Sequence, residues 1–342
     1  MRRILIFAAI VLFAAPAYAQ FSIPGAGNAV TISMSPAYPG PNTAVILTVQ
    51  SALYDVEQGT VTWTVAGKTV AQGTGATTIQ ITTGAIGSVS QVEADVSTDN
   101  GDASTVVNIV PTSIDLLWEA NSYTPPFYRG RSLPSAGSMI TVVAIPHFVR
   151  PGGTAVAADQ LTYSWKKDGV AIASASGKGK SSATFESPML YGTGSITVTA
   201  VSSDGALSGQ AVLRVADTLP QLVLYEDDPL FGIQYHKPLA KTTSIPETEM
   251  SFTAVPYFSP TTVADPELEY AWNVNGNPVT INAAKPNEIT INAAKSSGNA
   301  AIGLELTHAS NYFLDAQGIW SVTFSRSAVN GTSGGATDPF HQ

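Results

Sequence analysis

Apolar and polar side chains alternate in short runs along most of the chain. Residues 44–49 read Ala-Val-Ile-Leu-Thr-Val, and residues 195–201 read Ser-Ile-Thr-Val-Thr-Ala-Val. Successive side chains of a strand point to opposite faces, so this period of two predicts strands with one buried face. Glycine, asparagine, aspartate and proline separate the runs every 8–12 residues or so, the spacing of a β-sandwich. We therefore predict an all-β protein.

An internal repeat indicates how many domains there are. A tryptophan in mid-strand, just before a glycine-centred turn, occurs at Trp63, Trp165 and Trp272, with spacings of 102 and 107 residues. That is the length of one immunoglobulin-sized sandwich. We expect all three indoles to lie in domain cores. The predicted domains are residues 24–111 (domain 1), 112–216 (domain 2) and 217–326 (domain 3).

Domains 2 and 3 share further residues at the same offset of 107. Leu-Trp-Glu at 117–119 corresponds to Leu-Tyr-Glu at 224–226, and Tyr128 corresponds to Tyr235. This alignment predicts that the two domains have equivalent first strands followed by equivalent long connections.

The pattern resembles tandem bacterial Ig-like domains of exported cell-surface proteins. The resemblance is carried by the three strand-Trp-turn units and by Ser-Pro-Ala-Tyr-Pro-Gly at 35–40, and it covers roughly residues 24–326. The related polycystic-kidney-disease type usually has Trp-Asp-Phe-Gly-Asp-Gly, whereas residues 165–169 are Trp-Lys-Lys-Asp-Gly. The broader Ig-like label therefore fits better. The resemblance implies three tandem Ig-like β-sandwiches and says almost nothing about function.

The first 19 residues are typical of a signal peptide. Arg2 and Arg3 precede an apolar run over residues 4–15, and Ala-Tyr-Ala at 17–19 has the small-x-small pattern of a cleavage site. Twelve apolar residues are fewer than the roughly 20 that span a bilayer. An uncleaved anchor is the alternative. We predict export to the extracellular space, cell surface or periplasm, and a disordered tail over 327–342.

Composition narrows the possible chemistry and partners. The absence of cysteine excludes disulfides, thiolate metal sites and a cysteine nucleophile. Without Arg2 and Arg3, 14 basic residues remain against 25 acidic ones, a net charge near −11. Nucleic acid and anionic lipid attract clustered Lys and Arg, which this chain lacks. We expect no nucleic-acid partner and no membrane span after signal cleavage.

Catalytic motifs are missing from the sequence. The four histidines, at 147, 236, 308 and 341, show no His-x-x-x-His spacing, and the Gly-x-Ser-x-Gly at 331–335 falls in the predicted disordered tail and not on a strand-to-helix turn. We predict no catalytic residues, no cofactor and no enzyme activity.

Acidic residues near the second linker offer one weak metal candidate, a calcium site made of Asp217, Glu226, Asp227 and Asp228. Calcium needs six to eight converging oxygens. Adjacent residues of an extended chain point alternately to opposite sides, which argues against this site, so our main expectation is that there is no metal.

Aromatic residues in the first connections of domains 2 and 3 are the candidate binding residues. They are Phe127, Tyr128 and Arg129 in one connection, and Phe231 and Tyr235 in the other. Exposed aromatic and arginine side chains favour protein or sugar contacts. The alternative is that these loops close the ends of the sandwiches or pack at a domain junction.

These observations favour a non-enzymatic exported surface or envelope protein. It would act as a tandem Ig-like spacer and adhesion-type interaction module. A more specific form of this hypothesis makes it an accessory of an extracellular appendage such as a pilus. A protein partner is favoured over a glycan. The alternative is a secreted carbohydrate-binding protein associated with polysaccharide processing.

Overall fold

The computed structural model describes residues 30–189, 191–245, 249–292 and 298–324. The predicted signal peptide, the first six residues of domain 1 and the predicted disordered tail lie outside the described residues. The described chain is almost entirely β-structure, which confirms the predicted fold class. It forms two compact units, one of residues 30–35, 46–81 and 91–108, the other of 36–45, 82–90 and the described residues from 109 onward.

Three groups of strands follow one another along the chain. The first is β1 (Val30–Ser35), β2 (Ala44–Ser51), β3 (Thr60–Val65), β4 (Lys68–Thr74), β5 (Thr78–Thr82), β6 (Ser90–Thr98) and β7 (Gly101–Ile109). The second is β8 (Ser113–Ala120), β9 (Met139–His147), β10 (Leu161–Lys167), β11 (Val170–Ala171), β12 (Gly177–Lys178), β13 (Ser182–Glu186), β14 (Thr193–Ser202) and β15 (Ser208–Ala216). The third is β16 (Gln221–Asp228), β17 (Gly232–Pro238), β18 (Thr242–Ile245), β19 (Glu249–Tyr257), β20 (Leu268–Val274), β21 (Asn277–Pro278), β22 (Glu288–Asn292), β23 (Gly298–His308) and β24 (Asp315–Phe324).

Each group makes two sheets with the same strand order. In domain 1 the sheets are β1-β2-β5 and β4-β3-β6-β7, and in domain 2 they are β8-β9-β13 and β11-β10-β14-β15. Domain 3 contains β16-β19-β22 and β24-β23-β20-β21 in corresponding positions. Antiparallel three- and four-stranded sheets in this order are an Ig-like sandwich, in which some connections, such as those from β2 to β3 and from β4 to β5, cross from one sheet to the other. The threefold repeat is therefore a repeat of topology as well as of sequence.

Domain 3 has two additional strands. Strand β17 folds back on β16 as a hairpin, and β18 pairs in parallel with the end of β24, from Thr242↔Ser321 to Ile245↔Phe324. The corresponding connection in domain 2, residues 121–138, contains no strand. The two connections are therefore built differently.

The offset of 107 holds for the tryptophan strands and is wrong for the first strands. Ser113 pairs with His147 and Gln221 pairs with Tyr257. Because Ala-Ile-Pro-His-Phe at 144–148 matches Ala-Val-Pro-Tyr-Phe at 254–258, residues 108 apart are equivalent in the first strands. Trp118 thus corresponds to Glu226, not to Tyr225. A shift of one residue exchanges the two faces of a strand. Accordingly Leu117 is exposed while Leu224, its predicted equivalent, is buried.

The three repeated tryptophans occupy the same place in each sandwich. Trp63, Trp165 and Trp272 are buried, each in mid-strand. Each indole N–H donates to a backbone carbonyl further along the chain, that of Ala76 (2.7 Å), Lys180 (2.9 Å) or Pro286 (2.9 Å). Because a buried N–H needs an acceptor, this bond ties the following connection to the core.

The turn after each tryptophan strand needs two residues with left-handed backbone. Ala66, Asp168 and Asn275 have φ of 48°, 50° and 51°, and each is followed by a glycine with φ of 77–81°. Asparagine and aspartate tolerate this conformation, whereas alanine is disfavoured by about 1 kcal/mol or more.

Replacing Ala66 with asparagine is therefore expected to stabilise domain 1 by about 0.5–1 kcal/mol. Urea unfolding of the purified chain measures the change. The reverse substitution, Asn275→Ala, should destabilise domain 3 by more than this, because it also removes the side-chain acceptor of the Ala301 N–H (2.8 Å). Unchanged midpoints for both variants would contradict this account of the turn.

Candidate interaction site

Domains 2 and 3 contact each other through loops of both sandwiches, all within the second compact unit. Tyr123 exchanges two backbone hydrogen bonds with the loop after β19: its N–H donates to the Ser259 carbonyl, and the Phe258 N–H donates to the Tyr123 carbonyl, both at 2.7 Å. The Asn311 amide also donates to the Ala136 carbonyl at 3.4 Å. The 121–138 connection of domain 2 therefore joins domain 3 by main-chain bonds as well as side-chain packing.

Aromatic rings fill the space beside these bonds. The Tyr128 ring lies edge-on to Tyr257 at 5.6 Å and to Phe258 at 5.9 Å between centroids. The Tyr257 hydroxyl is 2.5 Å from that of Tyr225, and the Tyr225 ring lies 5.4 Å from that of Tyr235. Burial, followed by the hydrogen bond to Tyr225, raises the pKa of Tyr257. A raised pKa keeps the Tyr257 hydroxyl neutral at physiological pH, so it packs in this cluster as an uncharged group.

A second loop of domain 2 is bonded to the same connection. The Ser187 N–H donates to the Ser138 carbonyl at 2.9 Å, and the two serine hydroxyls are 2.6 Å apart. Further along this loop the Tyr191 N–H donates to Asp217 at 3.1 Å, which holds Tyr191 at a φ of 57°. The loop is thereby fixed to the start of the linker.

Exposed aromatic side chains concentrate on these loops. Six aromatic residues count among the exposed large apolar side chains of the described structure, and five of them come from the loops at the domain 2–domain 3 junction. Phe127, Tyr191 and Tyr312 are 89%, 79% and 88% exposed. We define the junction patch by its side chains: Phe127, Tyr128, Arg129, Met189, Tyr191, Tyr312 and Phe313.

The structure separates the five candidate binding residues. Phe127, Tyr128 and Arg129 belong to the junction patch, and Tyr128 uses part of its ring for packing. Phe231 lies at the tip of the β16–β17 hairpin, and Tyr235 packs on Tyr225. Tyr128 and Tyr235 are therefore not equivalent, since one sits in an irregular loop and the other in a strand.

The four acidic candidates for calcium are engaged separately. Asp227 accepts from the Thr253 hydroxyl at 3.1 Å, Glu226 pairs with Lys237 at 3.2 Å, and Asp228 accepts from the Leu230 and Phe231 N–H groups. Asp217 accepts from Tyr191, as described above. In the part of the chain that the structure describes, no three His, Asp or Glu side chains are grouped to hold a metal.

One titratable cluster brings together serine, histidine and aspartate. His308 Nε2 is 3.3 Å from an Asp265 oxygen, and its Nδ1 is 3.4 Å from the Ser310 hydroxyl. Nδ1 already accepts the backbone N–H groups of Ser310 (3.2 Å) and Asn311 (3.0 Å), and the hydroxyl donates to Glu267. A general base needs a free lone pair facing the nucleophile. This cluster instead fastens two loops of domain 3 that face domain 2.

Replacing His308 with alanine is expected to leave two backbone N–H groups without their acceptor and to destabilise domain 3 by about 1–3 kcal/mol. Chemical denaturation followed by circular dichroism measures the loss. His147, whose side chain is 44% exposed and pairs with Asp115, supplies the control, and His147→Ala should change the midpoint little. Equal midpoints for both variants would show that the cluster does not support the loops.

The remaining two histidines are His236 and His341. His236 is exposed on β17, and His341 lies outside the described residues. Among the helices of the described chain, none has the length and apolar character to cross a membrane.

Comparison with known proteins gives structural matches only. No family model and no curated protein matches the chain. The central fibronectin-III array of RIM-binding protein is 14% identical with a TM-score of 0.29, covering 84% of this chain and 95% of that one. Sidekick-1 immunoglobulin domains 1–4 are 13% identical with a TM-score of 0.21, covering 87% and 75%. A third match is the SGBP-B protein of a Bacteroides ovatus mixed-linkage glucan utilization locus, whose structure was solved with a mixed-linkage heptasaccharide. It is 13% identical with a TM-score of 0.24, and the match covers 86% of this chain and 70% of that one.

The class of the protein rests on its own strand order. Three successive sandwiches, each built on the same three-stranded and four-stranded arrangement with further strands added in domains 2 and 3, make the chain a tandem array of immunoglobulin- or fibronectin-III-like domains.

Proposed function

We propose that the chain is a non-enzymatic, exported interaction module whose contact surface is the junction patch. The observation that carries this proposal is the concentration of exposed aromatic side chains on loops that are hydrogen-bonded to one another. Isolated exposed apolar residues are ordinary, whereas several from adjoining loops mark a contact surface. Loops held by a rigid sandwich are also where such folds place their binding residues.

The side chains of the junction patch favour a protein as partner. Phenylalanine, tyrosine, methionine and arginine make up the patch, and these are the residue types enriched at protein–protein interfaces. The aromatic side chains bury much area and lose few rotamers on binding. The main-chain bonds between Tyr123 and the 258–259 loop reduce the entropy lost when a partner orders the surface.

Placement at the cell surface or envelope, as a spacer and adhesion-type module, completes the proposal. It is supported by the signal-peptide pattern at 1–19 and by the three sandwiches in tandem. The role as an accessory of an extracellular appendage is the more specific form, in which the appendage supplies the partner for the junction patch.

Carbohydrate binding is the second candidate, because of the Tyr191 and Tyr312 rings. Both rings are almost completely exposed, and flat aromatic faces can stack on the apolar faces of sugar rings. The protein would then be a secreted carbohydrate-binding protein associated with polysaccharide processing.

Cell fractionation combined with patch variants tests the proposal. Native protein is followed by antibody in spent medium, sheared filaments and washed envelope of the source cells. We expect retention with envelope or filaments, and its loss for Tyr191→Ala with Tyr312→Ala but not for Val170→Ala, which changes another exposed apolar side chain (67% exposed). Free protein in the medium, together with a defined glycan bound through the same tyrosines, would replace the protein partner with a sugar.

A further inference from the structure

One sheet face of domain 2 is basic. Strands β10, β14 and β15 alternate buried residues with exposed or half-buried ones, so every second side chain points outward. Lys166 of β10 and Arg214 of β15 lie on this outward side, and Lys178 of β12 joins them as the cross-strand partner of Thr162. The other outward residues of β10, β14 and β15 are threonine, serine, glutamine, valine and alanine. We call this surface the basic face, and its three cations come from three different strands.

The corresponding face of domain 3 is acidic. Glu269 of β20, Glu305 of β23 and Asp315 of β24 are exposed on the outward side of the sheet. Thr307 pairs with both Glu269 and Asp315, so these two carboxylates share one row of the sheet. No lysine or arginine is among the outward residues of these three strands. The equivalent sheet is therefore basic in one domain and acidic in the next, and we call the second surface the acidic face.

The charges of both faces are left uncompensated by the chain itself. None of the six charged side chains has an ion-pair partner among the described residues. Asp168 lies at one end of the basic face, where it accepts the Ser195 N–H at 2.7 Å. Lys241 lies beside the acidic face, with its ammonium group 4.9 Å from the centre of the Trp320 ring. With Asp168 and Lys241 included, the two faces carry charges of about +2 and −2.

Each face also exposes one aliphatic side chain at the same position. Val212 of β15 is 55% exposed and Ile319 of β24 is 67% exposed. Both lie in the row of cross-strand partners next to that of the repeated tryptophan, Val212 opposite Thr197 and Ile319 opposite Gly303. Two twisted sheets pack face to face with their strands about 30° apart. The two faces therefore match in strand order and in the place of their aliphatic residue, and they are opposite in charge.

We propose that these faces bind each other between molecules, the basic face of one chain against the acidic face of a second copy. Both faces are exposed within a single chain, and the site is separate from the junction patch and independent of the function proposed for it. A face of four strands and about seven residues measures roughly 19 by 23 Å. The contact would bury about 900 Å² in total, less than the roughly 1,200 Å² of stable complexes, so the association is weak and depends on charge.

The overall charge of the chain opposes this contact only weakly at moderate salt. At 0.15 M salt, charges more than about 8 Å apart are largely screened, whereas opposite charges in direct contact still attract. Sedimentation velocity of the full chain at rising concentration tests the proposal. At this salt concentration we expect the average mass to rise above that of one chain. At 1 M salt, where the screening length is about 3 Å, the mass should return towards that of one chain.

Reversal of the charges makes the test specific. Lys166→Glu with Arg214→Glu leaves a chain with two acidic faces, and Glu305→Lys with Asp315→Lys leaves a chain with two basic faces. Neither variant should self-associate, because its two faces repel each other. A mixture of the two variants should associate again, which also shows that both are folded.

Two controls test whether the location of the changes matters. Glu93→Lys with Asp95→Lys, on β6 of domain 1, changes the net charge as much as the acidic-face variant does and should associate like the parent. Val212→Ser with Ile319→Ser should raise the dissociation constant about tenfold, whereas Leu117→Ser, on the other sheet of domain 2 and 57% exposed, should not. A monomer at every concentration, or self-association that survives reversal of either face, overturns the inference.

Discussion

Trp165→Ala is expected to remove about 3–5 kcal/mol from the stability of domain 2, which is most of what a single domain has. The indole is fully buried, and its ring lies 5.7 Å from that of Phe185. Alanine would leave a cavity between the two sheets. It would also deprive the Lys180 carbonyl of its N–H donor. Both effects act in the same direction.

Urea unfolding monitored by circular dichroism, with limited proteolysis to identify the domain that opens, measures this loss. Leu117→Ala is the control in the same domain, because Leu117 is an exposed apolar residue of β8 and should change the midpoint by a few tenths of a kcal/mol. If Trp165→Ala unfolded at the control's midpoint, the tryptophan would not be the centre of the domain 2 core.

The repeated tryptophan strands could be found from sequence because their signal is local. Trp63, Trp165 and Trp272 each follow alternating residues and precede a left-handed turn, so a few neighbouring positions determine both strand and burial. The strand order of the sandwiches is the one that an Ig-like fold implies once three such units are recognised.

The first connections of domains 2 and 3 could not be aligned from sequence. An offset of 107 matches Trp118 to Tyr225, two aromatic residues, whereas the strand pairing requires 108. Strands β17 and β18 were also not predicted. The pairing of β18 with β24 joins residues that are about 80 positions apart, and no local pattern specifies so distant a parallel pair.

Only part of the candidate site could be predicted from the sequence. Phe127, Tyr128 and Arg129 stand out because they form one aromatic run, but nothing local distinguishes an exposed ring from a packed one, and Tyr235 looked similar. Tyr191 and Tyr312 were missed because they belong to the junction patch only through hydrogen bonds between distant loops. A glycine after Tyr191 and the long connection around Tyr312 were the available signals.

Gly318→Ala is expected to destabilise domain 3 by about 1–3 kcal/mol, the range for overpacking a filled core. Gly318 and Trp320 lie on the same inward face of β24, and the indole lies along the strand across the glycine. A methyl group at Gly318 would overlap the far ring of Trp320, which is 2% exposed and has no room to move. The glycine is therefore required by the position of this ring.

Thermal and urea unfolding of Gly318→Ala measure the effect, with Gly303→Ala on the neighbouring strand β23 as the matched control. The three atoms nearest to a methyl group at Gly303 belong to the Asn273 side chain, which is half-buried and can rotate away, so the control should lose less. Trp320→Leu would be costly alone, but combined with Gly318→Ala its effect should be less than additive, because the overlap disappears with the ring. Strict additivity of the two substitutions would mean that the glycine serves the backbone of β24 and not the tryptophan.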